Sequence, residues 1–180
     1  MDDLPAILVA LASGHLLGSL STAVIVGKLY GTDIVSQGSR SAGLTNTLRV
    51  LGRLPAALVL AGDVLKGIFA CLVGLALGVY AGPGDSGDCL SLLAAGAGAV
   101  IGHSWPVYFG FRGGKGALTG VTVLFMIDWG IALICLGLFV ILATASRHVS
   151  LGTVCATLLF AVLSFVPAFG HGTAFHVFAV

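Results

Sequence analysis

Two polar segments of the chain carry side chains that are suited to binding an anion. The first places hydroxyl, amide and guanidinium groups among glycines within twelve residues: Gly38, Ser39, Arg40, Ser41, Gly43, Thr45, Asn46 and Arg49. Glycine lets the backbone turn its N–H groups toward a ligand, and hydroxyl and amide groups add hydrogen-bond donors. The arginine guanidinium group can donate two hydrogen bonds to one phosphate group. The segment is interpreted either as a phosphate-binding loop or as a polar connector whose arginines only set membrane orientation.

The second segment surrounds a lysine with glycines immediately before an apolar stretch. It begins at Gly102 and ends in Gly113, Gly114, Lys115 and Gly116. Glycine-rich backbone at a helix N-terminus, together with a lysine, is typical of a phosphate site. The Walker A spacing, GxxxxGK followed by Ser or Thr, is absent, so nucleotide hydrolysis is disfavoured. The alternative is a flexible re-entrant turn between two helices.

Three further ionisable residues lie in or beside apolar runs. His103 precedes the glycines of the second segment and is interpreted either as a phosphate-contacting or positioning residue or as a packing residue. Asp63 and Lys66 are three residues apart, which places them on one face of a helix. Ionisable groups inside a membrane usually face a polar interior. Asp63 and Lys66 are therefore interpreted either as two buried charges that neutralise each other or as a support beneath the anion site.

The elements that position these residues must be membrane helices. The 180 residues are 58% hydrophobic and 8% charged, with a mean hydropathy of +1.11. Soluble domains carry roughly 25% charged residues, so this chain cannot cover itself with polar side chains and needs lipid as its solvent. It has no basic stripe for nucleic acid. Its four cysteines have no metal-like spacing with histidine.

Apolar runs of about 20 residues, the length that crosses a bilayer, divide the chain. They occupy 5–27, 54–80, 89–109 and 151–169. The stretch 117–146 is predicted to form two helices that meet at a turn around Asp128, and 171–180 the start of an incomplete last helix. The predicted fold is an all-α polytopic membrane protein with six to seven transmembrane helices, some of them short. Residues 1–180 are predicted to form a single membrane domain.

Charge placement predicts the orientation of these helices. Seven of the eight basic residues lie in 28–53, 110–116 and 146–150, whereas five of the seven acidic residues lie in the termini and loops between them. Basic loops stay in the cytoplasm. These three segments are therefore predicted to be cytoplasmic loops, and the N-terminus is predicted to lie outside.

Taken together, the segments resemble the bacterial acyl-phosphate:glycerol-3-phosphate acyltransferases, the PlsY family. Residues 102–116, GHSWPVYFGFRGGKG, match every fixed position of the family's GHxxPxxxxFxGGKG motif. Residues 38–46, GSRSAGLTN, followed by TLRVLG, are similar to its GSGNxGATN…LRVLG motif. GDVLKG at 62–67 and SRHVSLG at 146–152 resemble two further family segments. The resemblance extends from residue 18 to about residue 152.

The resemblance implies a specific reaction. Family members transfer a fatty acyl group from acyl phosphate to the 1-hydroxyl of glycerol 3-phosphate, giving lysophosphatidic acid and phosphate. It implies that Ser39 and Arg49 lie at the reacting centre, and that substrate is bound by Thr45, Asn46, His103, Gly113, Gly114, Lys115 and Gly116. No metal, nucleotide or other cofactor is implied.

The predicted partners are acyl phosphate, glycerol 3-phosphate and membrane lipid, with no nucleic acid. The protein is predicted to be a monomer. Its predicted location is the bacterial plasma membrane, with the active loops in the cytoplasm.

The chain departs from the family pattern in two places. Arg40, Ser41 and Leu44 replace a usual Gly, Asn and Ala in the first loop. The family's third motif, with His, Asn and a terminal Gly-x-Glu, has no counterpart before Val180. The expectation is either a C-terminally truncated fragment or a member that has lost this motif and has weak or absent catalysis.

Two other classes of function fit the same loops. One is a small transporter or channel for phosphorylated solutes, and the other is an inactive membrane scaffold. Transport predicts basic groups along a path through the membrane, yet Lys66 is the only basic residue deep within a predicted span. The sequence therefore favours the enzyme.

Overall fold

The computed structural model describes residues 4–81 and 85–163, and all regular structure within them is helical. This confirms the predicted all-α class. One short 3-10 turn, Val107–Phe109, accompanies eight α-helices in the described residues: α1 Leu4–Gly18, α2 Thr22–Leu29, α3 Leu44–Leu51, α4 Arg53–Ala81, α5 Asp85–Ser104, α6 Ala117–Ile127, α7 Trp129–Ser146 and α8 Val149–Leu163.

Four described stretches are long and apolar enough to cross a bilayer: Leu4–Leu29, Arg53–Tyr80, Leu90–Phe109 and Trp129–Ser146. The helices α6 and α8 are apolar but shorter, with 11 and 15 residues. Together these six segments agree with the predicted six to seven transmembrane helices. The orientation of the N-terminus stays a prediction.

The predicted division of 117–146 into two helices is confirmed. Helix α6 ends at Ile127 and α7 begins at Trp129. Asp128 between them is the N-cap of α7, where its Oδ1 accepts a hydrogen bond from the Ile131 N–H at 2.9 Å. Such a cap satisfies one of the N–H groups that a helix start leaves without a partner.

Small residues let α1 and α5 pack closely. A Cβ added to Gly14 or Gly18 would meet the backbone of α5 at Ala95 or Ala99. The reverse also holds, because a Cβ at Gly98 or Gly102 would meet the backbone of α1. Membrane helices associate largely through this kind of packing, and here it sets α1 against the helix that carries His103.

The first span is interrupted, which the continuous apolar run 5–27 did not predict. Helix α1 ends at Gly18 and α2 begins at Thr22. The Ser19 hydroxyl donates to the His15 carbonyl at 2.7 Å and accepts from the Val107 N–H at 3.3 Å. The Leu20 carbonyl accepts from the Lys66 ammonium at 3.2 Å. Backbone polar groups at membrane depth need partners inside the protein, and these contacts supply them.

The predicted loop 28–53 contains a helix. Helix α3 begins after Gly43 and ends at Leu51, and the capping residue Gly52 has a φ of +88°. Thr47 packs inward, whereas Thr45 and Arg49 are exposed. Residues four apart lie on the same helix face, so Thr45 and Arg49 lie on one exposed face of α3.

The chain divides into two compact units, one up to Thr122 and one from Val123 onward. The first contains all of the predicted site residues. In the second, Ile131 and Cys135 of α7 pack with Ala156 of α8. The single domain for 1–180 stays a prediction. Residues 164–180, with the predicted incomplete last helix, lie outside the described residues.

Candidate active site

One asparagine side chain organises the first loop. Asn46 in α3 is only 2% exposed. Its Nδ2 donates to the carbonyl oxygens of Ile34 at 3.0 Å and Gln37 at 3.1 Å, while its Oδ1 accepts from the Ser39 N–H at 2.8 Å. Both amide protons are therefore used within the protein. Asn46, which the resemblance assigns to substrate binding, lies beneath the loop and holds it against α3.

Ser39 lies between two residues with left-handed backbone. Gly38 has a φ of +58° and Arg40 a φ of +56°. A Cβ at Gly38 would collide with the Asn46 Oδ1, so glycine is required there for space as well as for conformation. Arg40 stands where the family pattern has glycine, and its positive φ gives the physical reason for that preference. Ser39 itself is exposed, beside the first turn of α3.

The second loop packs against the C-terminal end of α5. The Gly114 N–H donates to the His103 carbonyl oxygen at 3.1 Å. A Cβ at Gly113 would meet the carbonyl oxygens of His103 and Ser104, and one at Gly114 would meet the His103 imidazole. These two glycines are required because there is no room for a side chain. Since the Gly114 N–H already has a protein acceptor, a phosphate cradle in this loop would have to use other donors.

The end of the second loop leads directly into α6. Gly116 has a φ of +72°, a conformation that favours glycine, and its carbonyl accepts from the Gly120 N–H at 2.7 Å in the first turn of α6. Lys115, just before it, is exposed. The loop therefore presents a lysine side chain at the start of a helix.

The two loops meet. The Ala42 N–H donates to the Gly113 carbonyl oxygen at 3.1 Å, and a Cβ at Gly114 would touch the Ala42 carbonyl oxygen. The segment that carries Ser39 and Arg49 is thus joined to the segment that carries Lys115. Nothing in the sequence distinguished Ala42 as the residue that makes this contact.

Buried polar side chains from two helices, α4 and α5, meet beside this junction. Asp63 and Lys66 of α4 are 1% and 5% exposed, and their Oδ1 and Nζ atoms are 2.9 Å apart. The Lys66 Nζ is also 2.9 Å from the His103 Nδ1 and 3.2 Å from the Leu20 carbonyl oxygen. Three acceptors match the three protons of an ammonium group. We call Asp63, Lys66 and His103 the buried triad.

Hydrogen bonding assigns the tautomer of His103. An ammonium group can only donate, so the Nδ1 facing Lys66 must accept and the proton of the neutral ring lies on Nε2. The ring is 5% exposed and lies against Gly114. His103, which the resemblance assigns to substrate binding, therefore lies between the buried triad's ion pair and the glycine loop, as we call residues 113–116.

Two threonines complete the surroundings of the buried triad. The Thr22 hydroxyl donates to the Asp63 Oδ1 at 3.2 Å, and the Thr119 Oγ1 is 3.4 Å from the His103 Nδ1. Neither threonine stands out in the sequence. A threonine in an apolar helix more often bonds to its own backbone, as the Thr144 hydroxyl does with the Val140 carbonyl, and nothing local to the sequence separates the two cases.

The exposed polar groups on the two joined segments are of types that can bind anions. Ser39, Thr45 and Arg49 on one segment and Lys115 on the other provide hydroxyl, guanidinium and ammonium donors. Among the described residues, no group of three or more His, Cys, Asp or Glu side chains is arranged to hold a metal ion. The chemistry that these side chains offer is charge neutralisation and alignment of phosphate-bearing molecules.

The chain matches the family model described as glycerol-3-phosphate acyltransferase over residues 8–180. It is 46% identical over 158 residues to the glycerol-3-phosphate acyltransferase of Shouchella clausii (strain KSM-K16), covering 86% of this chain and 71% of that protein. It is 40% identical over 159 residues to the enzyme of the same name from Clostridioides difficile (strain 630), covering 86% and 74%.

The fold is similar to crystal structures of PlsY, an integral membrane glycerol 3-phosphate acyltransferase. The TM-score is 0.75 for its glycerol 3-phosphate form and 0.72 for its lysophosphatidic acid form. Each comparison has 31% sequence identity and covers 96% of this chain and 82% of the other.

Proposed function

The chain belongs to the glycerol-3-phosphate acyltransferase family, and from this premise we propose that it transfers a fatty acyl group from acyl phosphate to the 1-hydroxyl of glycerol 3-phosphate. The products are lysophosphatidic acid and phosphate. The forms in which the related PlsY was solved, with glycerol 3-phosphate and with lysophosphatidic acid, support the acceptor and the product. The acyl phosphate donor rests on the resemblance of the two loops.

The observation that carries this proposal is the junction of the two loops. The reaction brings together two substrates that each carry a phosphate. The Ala42–Gly113 hydrogen bond joins a segment that presents Arg49 to one that presents Lys115. One cationic side chain on each segment suits a site that must hold two phosphate groups at once.

The chemistry follows from the substrates. Acyl phosphate is a mixed anhydride, so the 1-hydroxyl oxygen of glycerol 3-phosphate can attack its carbonyl carbon directly. The new ester C–O bond forms as the C–O bond to phosphate breaks, and the hydroxyl proton passes to a phosphate oxygen. Arg49 and Lys115 neutralise phosphate charge while Ser39 and Thr45 position the substrates, so that alignment and electrostatic stabilisation supply the rate.

His103 is poorly placed to act as a general base. Its Nδ1 accepts from Lys66 and its Nε2 carries the ring proton. Neither nitrogen has a lone pair available for the hydroxyl proton. This supports direct transfer assisted by substrate phosphate rather than a covalent acyl-enzyme.

The membrane setting suits the lipid substrates. The second loop adjoins the apolar helix α5, so the acyl tail can extend into lipid while the phosphate groups stay at the polar loops. We place the protein in the bacterial plasma membrane with these loops in the cytoplasm, because basic loops are retained there. A transport function has less support, since Lys66, deep in α4, donates to three protein acceptors.

The test is an assay of the purified protein in lipid nanodiscs with radiolabelled glycerol 3-phosphate. Acyl phosphate, acyl-CoA and acyl carrier protein thioester are supplied separately with matched chain lengths. We expect lysophosphatidic acid with acyl phosphate alone. Product with acyl-CoA but not with acyl phosphate would contradict the donor, and no product with any donor would contradict the function.

A further inference from the structure

His103 contacts the glycine loop at two points and the helix that follows the loop at a third. The Gly114 N–H donates to the His103 carbonyl oxygen, and the imidazole lies directly against Gly114. The Thr119 hydroxyl, in the first turn of α6, lies 3.4 Å from the His103 Nδ1. The backbone and the ring of one histidine thus touch the loop and the helix that follows it.

The Asp63–Lys66 ion pair in turn holds the His103 ring. The Lys66 ammonium, 2.9 Å from the His103 Nδ1, is oriented by its contacts with Asp63 and the Leu20 carbonyl. Lys66 therefore links the break in the first span to the histidine that touches Gly114. A change at Lys66 reaches the glycine loop through a single side chain.

We propose that Asp63 and Lys66 are positioning residues, which hold the His103 ring in its Nε2-protonated tautomer and thereby fix the glycine loop for catalysis. This proposal rests on the acyltransferase function proposed above. Both residues are buried, and their opposite charges leave the pair neutral. Their effect on the reaction is therefore one of geometry rather than of added charge at the site.

The burial of the pair is consistent with such a role. Two charges inside a protein are expensive to desolvate, and well-packed apolar residues in their place are often equally stable or more stable. Stability alone therefore does not require them. A hydrogen-bond donor aimed at the His103 Nδ1 does something that an apolar replacement cannot, because it selects the tautomer and the ring orientation.

The double variant Asp63→Asn/Lys66→Met tests the proposal. It removes both charges together and so leaves no unpaired buried ion, whereas Lys66→Met alone leaves Asp63 without its partner and can fail to fold. We expect a melting temperature near that of the unmodified protein and a loss in kcat/KM on the order of 10- to 100-fold, the size expected when a loop is slightly displaced. A folded double variant with unchanged kcat/KM would overturn the proposal.

A matched control lies on the same helix as His103. Ser91 of α5 is fully buried, and its hydroxyl has no hydrogen-bond partner among the residues that the structure describes. It is twelve residues before His103, roughly 18 Å along the helix. Ser91→Ala should leave kcat/KM and the histidine spectrum unchanged.

Nitrogen-15 NMR of histidine side chains reads the tautomer directly. His103 is assigned as the signal lost in His103→Gln. We expect an unprotonated Nδ1 and a protonated Nε2 in the unmodified protein, and a shift toward a mixture of tautomers in the double variant. The same tautomer in both proteins would overturn the proposal. If the unmodified protein makes no lysophosphatidic acid, the proposed function fails, while this measurement still decides whether the pair controls His103.

A double-mutant cycle separates action through His103 from general damage. In a His103→Gln background, Asp63→Asn/Lys66→Met should reduce kcat/KM little further, because residues that act as one unit are not additive. If the combined variant instead loses kcat/KM by the product of the two separate losses, the pair acts independently of His103. That result would contradict the proposal.

Discussion

The backbone N–H of Ala42 donates to the carbonyl oxygen of Gly113 at 3.1 Å. This hydrogen bond joins two segments that sequence motifs had marked separately as anion-binding. The Asn46 side chain holds the first segment, and His103 holds the second through its carbonyl oxygen and its ring. The backbone that carries the exposed donors is therefore supported by buried residues. The buried residues that hold the loops and the exposed side chains that would bind phosphate can therefore be tested by separate substitutions.

The Asn46 side chain should stabilise the first loop. Asn46→Ala removes three hydrogen bonds, and the buried Ile34 carbonyl left unpaired costs about 1–3 kcal/mol. We expect a lower melting temperature and a loss of activity together. Thr45→Ala, an exposed neighbour on the same helix, should leave the melting temperature unchanged. An Asn46→Ala protein as stable as the unmodified one would show that the loop does not depend on this amide.

Gly114→Ala should be more damaging than the same change elsewhere. The added methyl would meet the His103 imidazole and the Ala42 carbonyl oxygen, whereas at Gly137 in α7 it would meet nothing within 4 Å. Overpacking of this kind typically costs about 1–3 kcal/mol. We expect a reduced kcat/KM and a lower melting temperature for Gly114→Ala. Gly137→Ala should be neutral or slightly stabilising, as is usual within a helix. Equal effects at the two positions would show that the loop can move away from the methyl group.

Loss of either cationic donor should reduce activity without loss of fold. Arg49 and Lys115 are exposed, so Arg49→Ala and Lys115→Ala should retain the melting temperature of the unmodified protein. If each contacts phosphate, transition-state stabilisation should fall by about 2–5 kcal/mol, by analogy with other charge pairs. Arg53→Ala, an exposed arginine at the start of α4, is the control. Normal kcat/KM in both variants would remove these residues from the site.

The orientation of the helices can be tested by cysteine labelling. The background should lack Cys71, Cys89, Cys135 and Cys155. A membrane-impermeant thiol reagent should label Gln37→Cys only from the cytoplasmic side and Ser86→Cys only from the outside, because the basic segments are retained in the cytoplasm. Labelling of both positions from the same side would contradict the predicted orientation.

The positions of most of the helices follow from the amino-acid sequence alone. In lipid, each span must satisfy its backbone hydrogen bonds internally and present apolar side chains outward, so its position is a local property of the chain. The end of α6 and the start of α7 could be placed from one charged residue, Asp128, within an apolar stretch. The glycine-lysine string at 102–116 was likewise a local pattern, and it was sufficient to indicate the family.

Tertiary structure alone decided what the individual polar side chains do. Asn46 has the amide expected of a substrate contact, yet its hydrogen bonds go to Ile34, Gln37 and Ser39. The break between α1 and α2 lies within an apolar run, and its Leu20 carbonyl is satisfied by Lys66 from another helix. The tautomer of His103 likewise depends on that lysine. Within the membrane no water is present to complete a hydrogen bond, so a polar group must find its partner on a neighbouring helix. The order of residues in the sequence does not show which helices will be neighbours.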